Sequence, residues 1–130
     1  MRRSILIISL AIVSLSLTGC VPSAYPAFDR PASEKDTLPS EIGEIEIEGV
    51  DVDSARYAGT YDGFDIFILR AGTGYCIAVA AGKYSSAACG GGVLTMSAAR
   101  LFEVQLVPEP ARDGDGFVAI SENIRVNPNP

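Results

Sequence analysis

Gly74-Tyr75-Cys76-Ile77-Ala78-Val79-Ala80-Ala81-Gly82-Lys83-Tyr84-Ser85-Ser86-Ala87-Ala88-Cys89-Gly90 is the stretch on which the fold turns. At its centre, Gly82-Lys83 separates two β-compatible runs. Glycine at the first central position is what a type II′ hairpin turn requires. With Gly82-Lys83 as the loop, Ala81 faces Tyr84, and counting outward brings Cys76 directly opposite Cys89. That pair falls among the alternate, non-hydrogen-bonded ones, whose Cα atoms approach to about 4.5 Å. A disulfide can bridge such a gap. Turn chemistry and cysteine spacing therefore reach one register independently. Closing a loop of this length contributes about 3 kcal/mol.

A second hairpin lies just before it. In Tyr61-Asp62-Gly63-Phe64 an Asp-Gly pair sits between β-rich flanks, the strongest short-range hairpin signal. Tyr61 should then face Phe64, Gly59 should face Ile66, and Tyr57 should face Ile68. Further upstream, Glu44, Glu46 and Glu48 alternate with Ile45 and Ile47 as a half-wetted strand would. The apolar phase switches at Val50 and Val52, which makes Gly49 a candidate bulge.

Downstream of Cys89, Gly90-Gly91-Gly92 reads as a loop and Thr95 to Arg100 as one helical turn. Leu101 to Val107, Phe117 to Ile120 and Ile124 to Val126 read as strands, with turns at Asp113-Gly114-Asp115-Gly116 and Ser121-Glu122-Asn123. Short strands between regular turn signals describe an all-β protein. The expected fold is a small antiparallel barrel or sandwich with one intrachain disulfide, as a single β domain over residues 42–127. Residues 128–130 are expected to form a frayed tail.

The chain opens with Met1-Arg2-Arg3, followed by an apolar run from Ile5 to Leu17 that ends in Leu17-Thr18-Gly19-Cys20. The run is well short of the roughly 20 residues needed to span a bilayer, and it suits the hydrophobic region of an export signal. Leu17-Thr18-Gly19-Cys20 resembles the lipobox of bacterial lipoproteins. The resemblance implies acylation of the Cys20 sulfur, with removal of residues 1–19 as a signal peptide. Cys20 would then become the lipidated N-terminus of a cell-membrane protein facing the extracytoplasmic side. The rest of the chain is similar in style to short actinobacterial-type lipoproteins of uncharacterised function, which implies no activity. Residues 20–41 carry Pro22, Pro26, Pro31 and Pro39 without hydrophobic periodicity. They read as a flexible tether, reaching roughly 25 Å as a coil and about 60 Å as extended polyproline II.

Removing residues 1–19 takes away two cations and no acid, so a net charge of −6 becomes −8. Such a surface repels nucleic acid and anionic headgroups. The chain has no histidine, so the usual general base and commonest metal ligand are missing. With Cys76 and Cys89 bonded, no thiolate nucleophile remains. A non-enzymatic role without metal or cofactor is expected.

Each chemical candidate has a plainer explanation. The glutamates spaced along a strand converge poorly on one ion and instead discourage edge pairing. The Asp113–Gly116 turn lacks the closing glutamate of a calcium loop at the right spacing. Gly90-Gly91-Gly92 is followed by no Lys-Ser or Lys-Thr pair of a phosphate loop. Asp62 serves the turn, and Asp65 alternates outward beside it. The best lead is a possible aromatic binding surface of Tyr57, Tyr61, Phe64 and Tyr84, with cross-strand packing as the alternative. The expected function is a binding or accessory module for an unknown envelope protein or polymer, with no nucleic acid partner. An inhibitor of an envelope hydrolase, acting through a Gly82-Lys83 loop preorganised by the disulfide, is the second reading. A small hydrolase is the third.

Overall fold

The computed structural model describes residues 24–43, 47–72 and 74–130. Among the described residues, eight strands form two four-stranded antiparallel sheets. The first is a meander of β1 (Val50–Tyr61), β2 (Phe64–Ala71), β3 (Gly74–Ala81) and β4 (Tyr84–Gly90). The second, in the order β5-β6-β8-β7, contains β5 (Leu94–Ala98), β6 (Phe102–Leu106), β7 (Val118–Ala119) and β8 (Ile124–Asn127). The sheets pack as a sandwich. Ile66, Ile68, Ile77 and Val79 of the first meet Phe102, Val104, Leu106, Ile124 and Val126 of the second, none of them more than 1% exposed. The expected all-β class is correct, and of the two architectures the chain adopts the sandwich.

The two hairpins follow from their turns. Asp62 and Gly63 take φ of 49° and 79°, the two positive values of a type I′ turn. Gly82 takes φ 55°, as type II′ requires. The β3–β4 ladder has the expected register throughout, from Ala81↔Tyr84 to Cys76↔Cys89. The disulfide is formed, with a Cα–Cα distance of 4.0 Å.

The first hairpin departs from expectation in one place. Tyr61↔Phe64 and Gly59↔Ile66 pair as predicted, but Tyr57 faces Phe67 rather than Ile68. Ala58 is an extra residue there, so the bulge lies beside Gly59 and not at Gly49. Gly49 instead occupies a turn with φ 81°, its carbonyl accepting the Gly72 amide at 3.0 Å. A second irregularity spans residues 52–55. There the Ser54 hydroxyl substitutes for a rung, accepting the Arg70 amide at 2.7 Å and donating to the Asp51 carbonyl at 2.6 Å.

Gly74 opens β3 against the Gly90 carbonyl, and a Cβ added at Gly74 would overlap that oxygen. Both groups are backbone, so neither can swing aside. Gly74→Ala should therefore cost about 2 kcal/mol through overpacking. An unchanged melting temperature for this variant would show that the β3 entrance is more pliable than drawn.

Three expectations are corrected. The strand expected where Glu44, Glu46 and Glu48 alternate with Ile45 and Ile47 is absent at its described positions, since Ile47 is in no strand and Glu48 lies in a turn. Ser40–Gly43, just before it, is one helical turn (α1). Glu44 and Glu46 lie outside the described residues. Thr95 to Arg100 is not helical, because Leu94–Ala98 pairs with β6 as a strand. The tether expected over residues 20–41 is not a spacer from residue 24 onward. Short 3-10 turns at Pro26–Phe28 and Glu34–Asp36 pack on β1 and lead into α1, which packs on β3 and β4, so together they form a belt across the first sheet.

The belt is held because its few apolar residues all find partners. Tyr25, 1% exposed, has its ring centroid 4.3 Å from that of Tyr75, and the Phe28 ring stacks on Tyr75 at 5.6 Å. The Arg70 guanidinium sits over the Phe28 ring at 4.8 Å. Leu38 and Ile42 cover Phe67, Leu69, Cys76 and Ala78 on the outer face of the first sheet. The first sheet is thus covered on both faces, which explains why Ile66–Leu69 and Cys76–Ala80 are buried without alternation. One carboxylate clasps the belt to β1. Asp36 accepts from both terminal nitrogens of Arg30 at 2.7 Å, from the Ser33 amide at 2.6 Å and from the Tyr57 amide at 2.8 Å.

Candidate functional site

The four aromatic residues expected to form a binding surface do not share an exposed face. Phe64 is buried between the sheets, edge-on to Phe102 at 5.2 Å and to Tyr84 at 5.6 Å. Tyr61 lies 4.9 Å from Phe102, and the Tyr84 hydroxyl accepts the Ala99 amide at 2.7 Å. These three close one end of the sandwich as packing. The bulge at Ala58 turns Tyr57 to the opposite face, where it meets Phe67 at 5.8 Å and its hydroxyl bonds with Thr60 Oγ1. A one-residue slip moves a side chain across the sheet, and here it divides the predicted set.

The carboxylates of the sequence candidates have structural roles. Asp62 supplies the left-handed turn position. Asp65 accepts from Thr60 Oγ1 at 2.7 Å, and Asp113 accepts the Ala119 amide at 2.8 Å. Among the described residues, no group of three or more Cys, Asp or Glu side chains is placed to hold a metal ion. Cys20 lies outside the described residues. The disulfide joins the sixth pair outward from Gly82-Lys83, so it staples the far end of that hairpin and leaves the tip to its own turn.

Sequence reasoning missed the concave feature that the bulge creates. A groove of about 280 Å³ opens between β1 and the turn preceding β8. Its walls are mainly apolar, from Ala27 of the belt, Ala58, Ile68 and Ile120, with Ser121 and Glu122 adding polar groups. Gly59 helps to keep it open: with φ 136° and no side chain, it leaves space that a Cβ would occupy at 3.4 Å from Ile120 Cδ1. Bulges recur beside functional sites because they re-aim a strand. The only sequence signal was a glycine in mid-strand, which marks either a bulge or a close approach. The groove is near the small end of ligand-pocket sizes. It fits one apolar side chain or a small apolar group. Hydrolysis would require converging acid and base groups, and the groove wall contributes one carboxylate, Glu122.

Compared with family models, curated proteins and solved structures, the chain matches none.

Proposed function

We propose that this chain is the precursor of a lipoprotein, lipidated on Cys20 and carried on the extracytoplasmic face of the cell membrane. In this reading its domain is a non-catalytic binding or accessory module of the cell envelope, with an envelope protein or polymer as partner. The observation that carries the proposal is the placement of Leu17-Thr18-Gly19-Cys20 immediately after an apolar run headed by two arginines. The Cys76–Cys89 disulfide supports an oxidising compartment, and the structural use of Asp62, Asp65 and Asp113 supports a non-catalytic role. The bulge-lined groove is the place for an apolar side chain of the partner. Feeding cells radiolabelled palmitate tests the anchor: the wild-type chain should take up label, and Cys20→Ala should take up none and stay unprocessed. Label on that variant would remove the reading. Crosslinking in the cell, followed by mass spectrometry, should then recover one enriched envelope component.

A further inference from the structure

We infer that the end of the sandwich formed by the Gly90–Val93 link is the face that meets the phospholipid bilayer, with the three hairpin tips directed away from it. The inference rests on the lipid-anchor reading above and adds an orientation to it. Only four residues, 21 to 24, separate Cys20 from Tyr25. Tyr25 is fixed in the fold, 1% exposed, with its hydroxyl donating to the Gly92 carbonyl at 3.5 Å. Five Cα steps reach at most about 17 Å. The acylated sulfur therefore stays close to this end, in place of the 25–60 Å stand-off that a tether would give.

The strand directions define the two ends. The Ala71–Gly74 connection, Gly90 and Leu106 lie at the Tyr25 end. Asp62-Gly63, Gly82-Lys83 and Ala99-Arg100 turn at the other, where the Tyr84–Ala99 hydrogen bond joins the sheets. Strands of about eight residues set the ends roughly 25 Å apart. The proximal end also carries a contact surface. Val93, which follows Gly92, is 58% exposed. It lines a shallow depression with Val107, Pro108 and Pro110, where Arg112 and Arg125 stand against the single carboxylate of Glu109. Within this depression two guanidinium groups outnumber one carboxylate. That locally offsets the repulsion that the net negative charge, and Glu48 beside Gly90 and Gly91, exert on anionic headgroups. The apolar groups suit the boundary with the acyl chains. Each contact is small, but a short tether raises the effective concentration of the surface to the millimolar range. A weak contact then suffices to orient the domain.

The test uses the mature protein with its own acyl chains, purified from membranes and placed in phosphatidylethanolamine–phosphatidylglycerol vesicles. A fluorophore is attached at Gly91→Cys or at Lys83→Cys, and nitroxide-headgroup lipids are the quencher. A Cβ at Gly91 meets nothing within 4 Å, and Lys83 is exposed at a turn, so neither label disturbs packing. Quenching at position 91 should exceed that at position 83 several-fold. A flexible Gly/Ser spacer inserted before Ala24 should remove most of the difference, and Val93→Asp should reduce it. If the protein floats with vesicles and takes up palmitate but both positions quench alike, the orientation is wrong and the anchor stands. If it neither floats nor takes up palmitate, the anchor reading fails and the orientation falls with it.

Discussion

Replacing both bridging cysteines, as Cys76→Ala with Cys89→Ala, should lower stability by about 3 kcal/mol, a large fraction of what a domain this size has. The melting temperature should fall by roughly 10–20 °C. The bond closes the β3–β4 hairpin at a sequence separation of 13, and its main effect is to restrict the unfolded chain. Cys76 is also 1% exposed and packs beside Leu69 and Ala78, so alanine there removes some packing as well. Reducing the wild-type protein separates the two effects, since it breaks the bond and keeps both sulfurs. Cys89 lies exposed on β4, which gives a reductant access. Urea titrations followed by circular dichroism should place reduced wild type between the oxidised protein and the double variant. Coincident midpoints for oxidised and reduced protein would show that the bond contributes nothing.

What could be read in advance follows from the range of the interactions that decide it. The Gly82-Lys83 and Asp62-Gly63 hairpins were legible because each turn is fixed by two residues, and a turn sets the register of the strands beside it. The disulfide came with the register. Tyr57 was misplaced because a bulge breaks that counting: one unpaired residue, Ala58, moved it to the other face. The Thr95–Arg100 segment was short, so its pairing with β6, a tertiary contact, overrode its local preference. The belt was the largest misreading. Prolines and charges between Tyr25, Phe28, Leu38 and Ile42 hide any period. Those four residues are buried or half-buried at separate sites: Tyr75 and Arg70 at one end, the outer face of the first sheet at the other. The continuous apolar runs of β2 and β3 were the available hint, because an open antiparallel sheet alternates and these two strands do not. The groove was hidden for the same reason as the Tyr57 slip, since the bulge at Ala58 helps to shape it.

Asp36→Ala should destabilise the domain by about 3 kcal/mol, through two unequal losses. The ion pair is the smaller one, because the Arg30 side chain is 41% exposed and regains water when its partner is removed. The larger loss is the stranding of the Ser33 and Tyr57 amides, which Asp36 satisfies from a site only 5% exposed. Asp36→Asn keeps an acceptor for one of these amides and should fall between alanine and wild type. The Arg30 hydrogen bonds, helped by those from the Tyr57 and Ser33 amides, hold the Asp36 carboxyl well below the usual carboxylate range despite its burial. The folded-state value is thus depressed relative to the unfolded value of about 3.9. The contribution is fully present above that unfolded value and is lost as pH falls from about 4 toward the folded one. Wild type and Asp36→Ala should therefore differ most near neutral pH and converge in acid. Urea midpoints at pH 7 and near pH 3 provide the check, and a gap of equal size at both would mean that the carboxylate charge does not hold the clasp. Because Asp36 joins the belt to the backbone of β1, the variant should also open residues 24–43 to limited proteolysis before the sandwich unfolds. That partial opening would free Tyr25 from its place beside Gly92 and, if Cys20 carries the proposed lipid, would loosen the orientation inferred from the short connection.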